Sequence, residues 1–140
     1  MAQSMRNQAL LTEPELRARL GEFYDALDQF NDGWYFQSHE TLEDLWMVTP
    51  LPERDMFQGI IQAAAAFVHL VRGEYAGILK LLDAAIDKLA RFEPERFGVD
   101  ITALARDLRS ARDRIEELGA DGLSAKDESM APQISFEHQN

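Results

Sequence analysis

One segment, residues 53–72, carries apolar side chains around almost its whole helical circumference. Its apolar members are Phe57, Ile60, Ile61, Ala63, Ala64, Phe67, Val68, Leu70 and Val71. Its polar side chains form one narrow stripe, about 60° wide at 100° per residue: Asp55, Gln58, Gln62 and His69. A helix that is apolar on nearly every side has to be surrounded by other elements. The segment therefore predicts the central helix of a helical bundle.

Four other segments repeat apolar residues at spacings of three and four, which is typical of amphipathic helices. They cover residues 12–30, 34–47, 75–92 and 101–118. Thr12 and Glu15 have the spacing of a capping box, and Asp100 is placed to cap the last helix. No segment alternates as a strand does. The pattern predicts an all-α fold, an antiparallel bundle of about five helices in a single domain.

The predicted domain spans residues 12–119, after a flexible leader at 1–11. Beyond it, residues 120–140 mix Gly, Ser, Asp, Pro and Gln without a period and predict an extended or disordered tail. His138 lies in that tail, outside any predicted site. The 140 residues are enough to bury a core.

Composition narrows the classes of function. The chain has no cysteine, which removes disulfide and thiolate chemistry, and its formal charge of −11 argues against nucleic acid as a partner. No apolar run of 18 or more residues predicts a membrane span. With no signal-peptide pattern at the N-terminus, we expect an acidic cytoplasmic protein, either a monomer or a homodimer.

Chemistry-bearing residues are concentrated in residues 31–46, at the start of the second predicted helix. On a helical wheel, His39, Glu43 and Trp46 lie opposite a polar face, which predicts that all three point inward. We call these three residues the His–Glu–Trp motif. A buried, unpaired carboxylate would cost several kcal/mol, so Glu43 requires a partner.

Three interpretations of this arrangement stay open at the level of sequence. His39 and Glu43 stand four residues apart, so they could form a structural hydrogen-bond network, bind one metal ion together, or act as an acid–base pair. The polar stripe of residues 53–72 is either a solvent edge or faces the motif. In the second case Gln58 and Gln62 approach His39 and Glu43 and form one polar pocket.

The motif and its surroundings resemble the signature of a bacterial and archaeal family catalogued as domain of unknown function 309. The resemblance rests on two blocks and spans about residues 15–92. The first block is Phe30-Asn31-x-Gly33-x-Tyr35-Phe36-x-x-His39-Glu40-x-Leu42-Glu43-x-x-Trp46, and the second is Phe57-Gln58-Gly59-x-Ile61-Gln62 with Gly73. The resemblance implies a small all-helical bundle and a metal-binding role suggested for the motif. It implies no established activity.

Two main hypotheses of function follow; a third, metal-free acid–base catalysis, would require His39 to open onto a cleft. In the first, the pocket binds a divalent metal ion through His39 and Glu43, with Glu40 or His69 as a further ligand, and any enzymatic activity would be metal-dependent hydrolysis. The identity of the metal stays open. In the second, the protein is a non-enzymatic helical interaction module in which His39, Glu43 and Gln62 form a buried hydrogen-bond network around Trp46. Both hypotheses allow a small-molecule ligand at Trp46, Gln58 and Gln62.

Overall fold

The computed structural model of the chain describes residues 9–123 and 130–139. These residues form six helices and a small hairpin packed together in one domain. The elements are α1 (Glu13–Ala18), α2 (Leu20–Asn31), α3 (Tyr35–Trp46), α4 (Glu53–Val71), α5 (Ile78–Ala90), β1 (Glu95–Arg96), β2 (Val99–Asp100) and α6 (Ile101–Gly122). The all-α fold class is confirmed. Among the described residues, no helix combines the length and apolar character needed to cross a bilayer.

Helix α4 is the centre of the bundle, as the sequence predicts. It packs against α3 on one side and against α5 on the other, while α2 packs on α3 and α6 packs on α5. Ten of its residues are buried, so most of its circumference faces the core. The side chains that remain half-exposed on α4 include those of Gln58 and Gln62.

The first predicted helix, residues 12–30, is in fact two helices. The capping box of Thr12 and Glu15 is present at the start of α1. At Arg19 the backbone N–H bonds to the oxygen of Leu16, three residues back, and the backbone leaves helical geometry at φ −104° and ψ 7°. The apolar spacing continues through this tight turn, so the periodicity gives no sign of the break.

The prediction that the chain contains no strand was wrong at the connection between α5 and α6. There β1 and β2 pair as a two-residue antiparallel hairpin. The turn residues Phe97 and Gly98 both have positive φ, 52° and 82°, as a tight hairpin turn requires. A Cβ at Gly98 would collide with the backbone oxygen of Glu137, so this position also needs glycine for packing.

Residues 130–139, which we call the C-terminal strap, extend along the hairpin. Val99 and Phe136 form an antiparallel bridge, and the N–H of Glu137 donates to the oxygen of Gly98 at 2.9 Å. Ile134 is buried. The predicted tail is thus extended in this part and packs on the bundle; residues 124–129 lie outside the described part. The predicted domain boundaries themselves stay a prediction.

The C-terminal strap is held to the end of α2 by the side chain of Asn31. Its Nδ2 donates to the backbone oxygen of Ile134 at 2.9 Å, and its Oδ1 accepts from the N–H of Ile134 at 2.7 Å. The ring of His138 stacks on Tyr24 with centroids 4.3 Å apart. The contacts of Asn31 hold the strap at the corner between α2 and α3, and the stacking on Tyr24 holds it along α2.

Candidate functional site

Helix α3 buries a different face from the one that the helical wheel predicts. Its buried residues are Tyr35, Ser38, Leu42 and Leu45. At 100° per residue, the centre of this face is rotated by about 90° from the centre of the His–Glu–Trp motif. Ser38 tolerates full burial because its hydroxyl donates to the backbone oxygen of Ala26 at 2.7 Å. This bond ties α3 to α2 and sets the rotation of α3 in the bundle.

The motif therefore lies on the flank of α3, and the prediction that Glu43 points inward was wrong. The side chains of His39 and Glu43 are 29% and 47% exposed, and His39 Nε2 lies 3.4 Å from Glu43 Oε2. A half-exposed carboxylate remains hydrated, so it carries no large burial penalty. Glu43 thus needs no partner to be accommodated. The pair is a surface pair on one turn of helix.

One atom of His39 is nevertheless buried. Its Nδ1 has no hydrogen-bond partner among residues 9–123 and 130–139. The imidazole lies nearly parallel to the Phe36 ring, at 7°, with centroids 6.4 Å apart. The ring nitrogen that approaches Glu43 is therefore the other one, Nε2.

Trp46, the third member of the motif, lines a groove on the outside of the bundle. Helix α4 forms the floor of this groove, and α3 and α5 form its walls. The lining residues are Trp46, Leu51, Arg54, Asp55, Gln58 and Lys88, and the volume is about 480 Å³. We call it the Trp46 groove. The guanidinium of Arg54 lies over the indole, with Cζ 4.4 Å from the ring centroid, in the geometry of a cation–π contact.

The structure brings some of the predicted pocket residues together and leaves others apart. Trp46 and Gln58 meet in the Trp46 groove. Gln62 is not among the lining residues, and its Oε1 is buried without a hydrogen-bond partner in the described part of the chain. The predicted His39–Glu43–Gln62 network is therefore not formed.

Two side-chain contacts define the register of α3 against α4. The helices run antiparallel, with Tyr35 opposite Phe67 at 5.6 Å between ring centroids and Trp46 opposite Arg54. Of the motif and the polar stripe of α4, the structure brings Trp46 together with Asp55 and Gln58, in the Trp46 groove. The interpretation that the whole stripe faces the motif stays a prediction.

Neither of the two further ligands considered for a metal ion completes a site with the pair. His69 lies seven residues beyond Gln62, about 10 Å along the axis of α4, and its Nδ1 contacts Glu74 Oε1 at 3.1 Å. Glu40 is exposed on α3. Within the described ranges, no three His, Asp or Glu side chains converge in a group that could hold a metal ion.

Leu51, Arg54 and Lys88 belong to the groove but were missed from the sequence. Leu51 lies in the proline-containing turn between α3 and α4, and Arg54 follows this turn at the start of α4. Lys88 comes from α5, more than 40 residues after Trp46. The helical pattern of α5 could have shown that Lys88 borders its apolar face. Its position opposite Trp46 depends on the packing of three helices, which periodicity does not give.

These features define a small all-helical bundle protein with a polar groove beside a half-exposed His–Glu pair. Residues 23–81 match the family model described as "Domain of unknown function (DUF309)", so the chain contains a DUF309 domain over those residues. The matched segment covers nearly all of α2, the whole of α3 and α4, and the start of α5. It therefore includes the motif, Gln58 and Gln62. Comparison with curated proteins gave no match.

Proposed function

We propose that this protein is a non-enzymatic helical module that binds a small ligand in the Trp46 groove. One observation carries the proposal: the groove joins Trp46 of the motif to Gln58 of the second block in a single cleft of about 480 Å³. This volume lies in the range of small-molecule sites, which combine apolar walls with a few polar groups. Trp46 supplies an aromatic wall, and Gln58 supplies an amide that can donate and accept.

Neither His39 nor Glu43 lines the Trp46 groove, so the proposed ligand contacts Trp46 and Gln58 and not this pair.

A fragment titration monitored by nuclear magnetic resonance tests this proposal. The chain has two tryptophans, so its ¹⁵N spectrum has two indole N–H signals. Trp34 is 60% exposed and does not line the Trp46 groove, which makes it an internal control. We expect fragments that shift the Trp46 signal and leave that of Trp34 unchanged.

The matched variant is Gln58→Leu, which keeps the size of the side chain and removes its amide. Loss of one or two hydrogen bonds should weaken the best fragments by about 5- to 20-fold. Fragments that shift neither indole, or both equally, would refute the proposal.

We propose a divalent-cation site at His39 and Glu43 as a second candidate. Two ligands at 2.0–2.2 Å from a tetrahedral zinc ion stand roughly 3.4 Å apart, which is the separation of Nε2 and Oε2. The remaining ligands would have to be water or groups outside this set, since no third His, Asp or Glu of the described residues joins the pair. If a cation is bound, metal-dependent hydrolysis is the reaction class to screen.

Metal content decides this second candidate. Protein purified without a chelating tag should contain stoichiometric metal, and a His39→Ala/Glu43→Ala double variant should contain none. Asp44→Ala is the matched control, because it removes an exposed carboxylate from the same helix and Asp44 is not a candidate ligand. Wild-type protein without metal that also fails to bind added Zn²⁺ would exclude the site.

A further inference from the structure

Two cations of the Trp46 groove have no acidic partner among the described residues. The Arg54 side chain contacts the Trp46 ring, but it makes no ion pair, and its Nε is buried without a hydrogen-bond partner. Lys88 lines the same groove, also without an ion pair or a side-chain hydrogen bond. The chain has 25 acidic and 14 basic residues. Two unpaired cations in one cleft are therefore not explained by a shortage of carboxylates.

The acidic groups near the groove are already engaged elsewhere. Asp55 is the one carboxylate among the lining residues, and it faces Arg91 at 3.5 Å. The same Arg91 donates to Asp87 at 2.9 Å. The lining thus has two positive charges and one negative charge, and the negative one is drawn towards α5. The net charge of the lining is +1, opposite in sign to that of the whole protein.

We infer that the Trp46 groove binds a small organic anion through Arg54 and Lys88; the inference rests on the ligand-binding function proposed above. The anionic group is a carboxylate or a phosphate, because guanidinium and ammonium donors make charge-assisted hydrogen bonds to both. Gln58 adds a neutral donor on the floor of the groove. Leu51, 67% exposed at the rim, offers a surface for the apolar part of the ligand.

The size and charge of the protein limit this ligand to a small molecule. A cleft of about 480 Å³ holds a compound of one or two rings. The formal charge of −11 repels extended polyanions, whereas a single anionic group experiences mainly the cations beside it. At physiological ionic strength, charges more than about 8–10 Å away contribute little to the potential at the bound anionic group. The cations of the groove therefore act on that group more strongly than the distant acidic residues do.

The test is a titration with benzoate, phenyl phosphate and neutral benzamide, monitored at the indole N–H signals of Trp46 and Trp34. We expect both anions to shift the Trp46 signal alone and to bind at least about tenfold more tightly than benzamide. The ratio of the two anion affinities identifies the preferred anionic group. Affinity for both should fall as sodium chloride is added.

Lys88→Met removes the charge and keeps most of the apolar stem, and it should weaken both anions by about tenfold or more. Lys80→Met is the matched control on the same helix, because Lys80 is exposed and does not line the Trp46 groove. Lys88→Gln provides a second variant if Lys88→Met unfolds at a lower temperature.

Each contrary outcome is informative. If benzamide binds as tightly as the anions, the inference is wrong, but the Trp46 groove remains a ligand site. If the anions bind equally well to both Lys88 variants, they bind elsewhere, and the inference is wrong. If no probe shifts the Trp46 signal, the anion site does not exist, and the fragment titration decides the proposed function independently.

Discussion

Replacement of Gly59 by alanine tests how closely α5 approaches α4. A Cβ on Gly59 would lie 2.9 Å from Leu89 Cγ and 3.3 Å from the backbone oxygen of Ala85. Leu89 is fully buried, so neither contact can be relieved by moving the free end of a flexible side chain. Overpacking of this kind costs about 1–3 kcal/mol, against a gain in helix propensity of about 1 kcal/mol. The net effect of Gly59→Ala should be a loss of up to about 2 kcal/mol in the free energy of unfolding, and no gain.

Gly21→Ala is the matched control. Gly21 is an exposed helical glycine of α2, and a Cβ there would meet no heavy atom within 4 Å. With no steric cost, the gain in propensity should raise stability by about 0.5–1 kcal/mol. Urea unfolding measured by circular dichroism gives both values, and the m-value should not change.

A double-mutant cycle identifies the contact that is responsible. Leu89→Ala alone leaves a cavity and should cost about 2–5 kcal/mol. In that background, Gly59→Ala should cost less than in the wild type, because the added methyl group enters the vacated space. If Gly59→Ala were as stable as Gly21→Ala, the close approach of α5 at this position would be refuted.

Three further predictions concern polar contacts. Asn31→Ala should reduce stability by about 1–3 kcal/mol through loss of both bonds to Ile134, with faster hydrogen exchange at that amide; unchanged exchange would contradict the clamp. His39→Ala should cost at most about 1 kcal/mol in urea unfolding, because its contact with Glu43 is partly exposed; a loss above about 2 kcal/mol would mean that the pair acts as a buried network. The hydrogen bond from Arg19 lowers the pKa of Glu22 below 4.5, so its stabilisation is present above that pH and lost as pH falls through the lowered pKa. Thermal unfolding of Glu22→Gln should then depend less on pH below about pH 4.5, and an unchanged pH profile would refute this assignment.

The sequence was sufficient to predict the helical fold because local patterns carry most of that information. The apolar circumference of residues 53–72 identified the central helix, and its observed bounds, Glu53–Val71, agree closely. The cap at Asp100 is present, with Oδ1 accepting from the N–H of Ala103 at 2.9 Å. Both features depend on residues within one or two helical turns.

The rotation of α3 could not be predicted in the same way. The inward direction was placed opposite a polar face, but burial of Ser38 depends on the backbone oxygen of Ala26, in the neighbouring helix. The sequence alone does not reveal that acceptor, so it does not indicate that a polar residue such as Ser38 lies at the centre of a buried face. The resulting error of about a quarter turn moved Glu43 from the predicted core to the surface.

The lining of the Trp46 groove likewise depends on contacts between distant segments, which local sequence patterns do not predict. Trp46 and Gln58 were both selected from the sequence, and they do share one cleft. Lys88 joins them because α5 packs along α4 through the glycine at position 59. The local sequence around Lys88 does not indicate that this residue lies beside Trp46 and Gln58.

The clamp between Asn31 and the C-terminal strap has a consequence for the order of events during synthesis. Its two partners, Asn31 and Ile134, are 103 residues apart. At 5–20 residues per second, Asn31 is synthesised about 5–20 s before Ile134. The corner that leads into the His–Glu–Trp motif therefore spends the first seconds of its existence with an unpaired amide side chain. Until the C-terminal strap packs against it, this corner is open to water and to other chains.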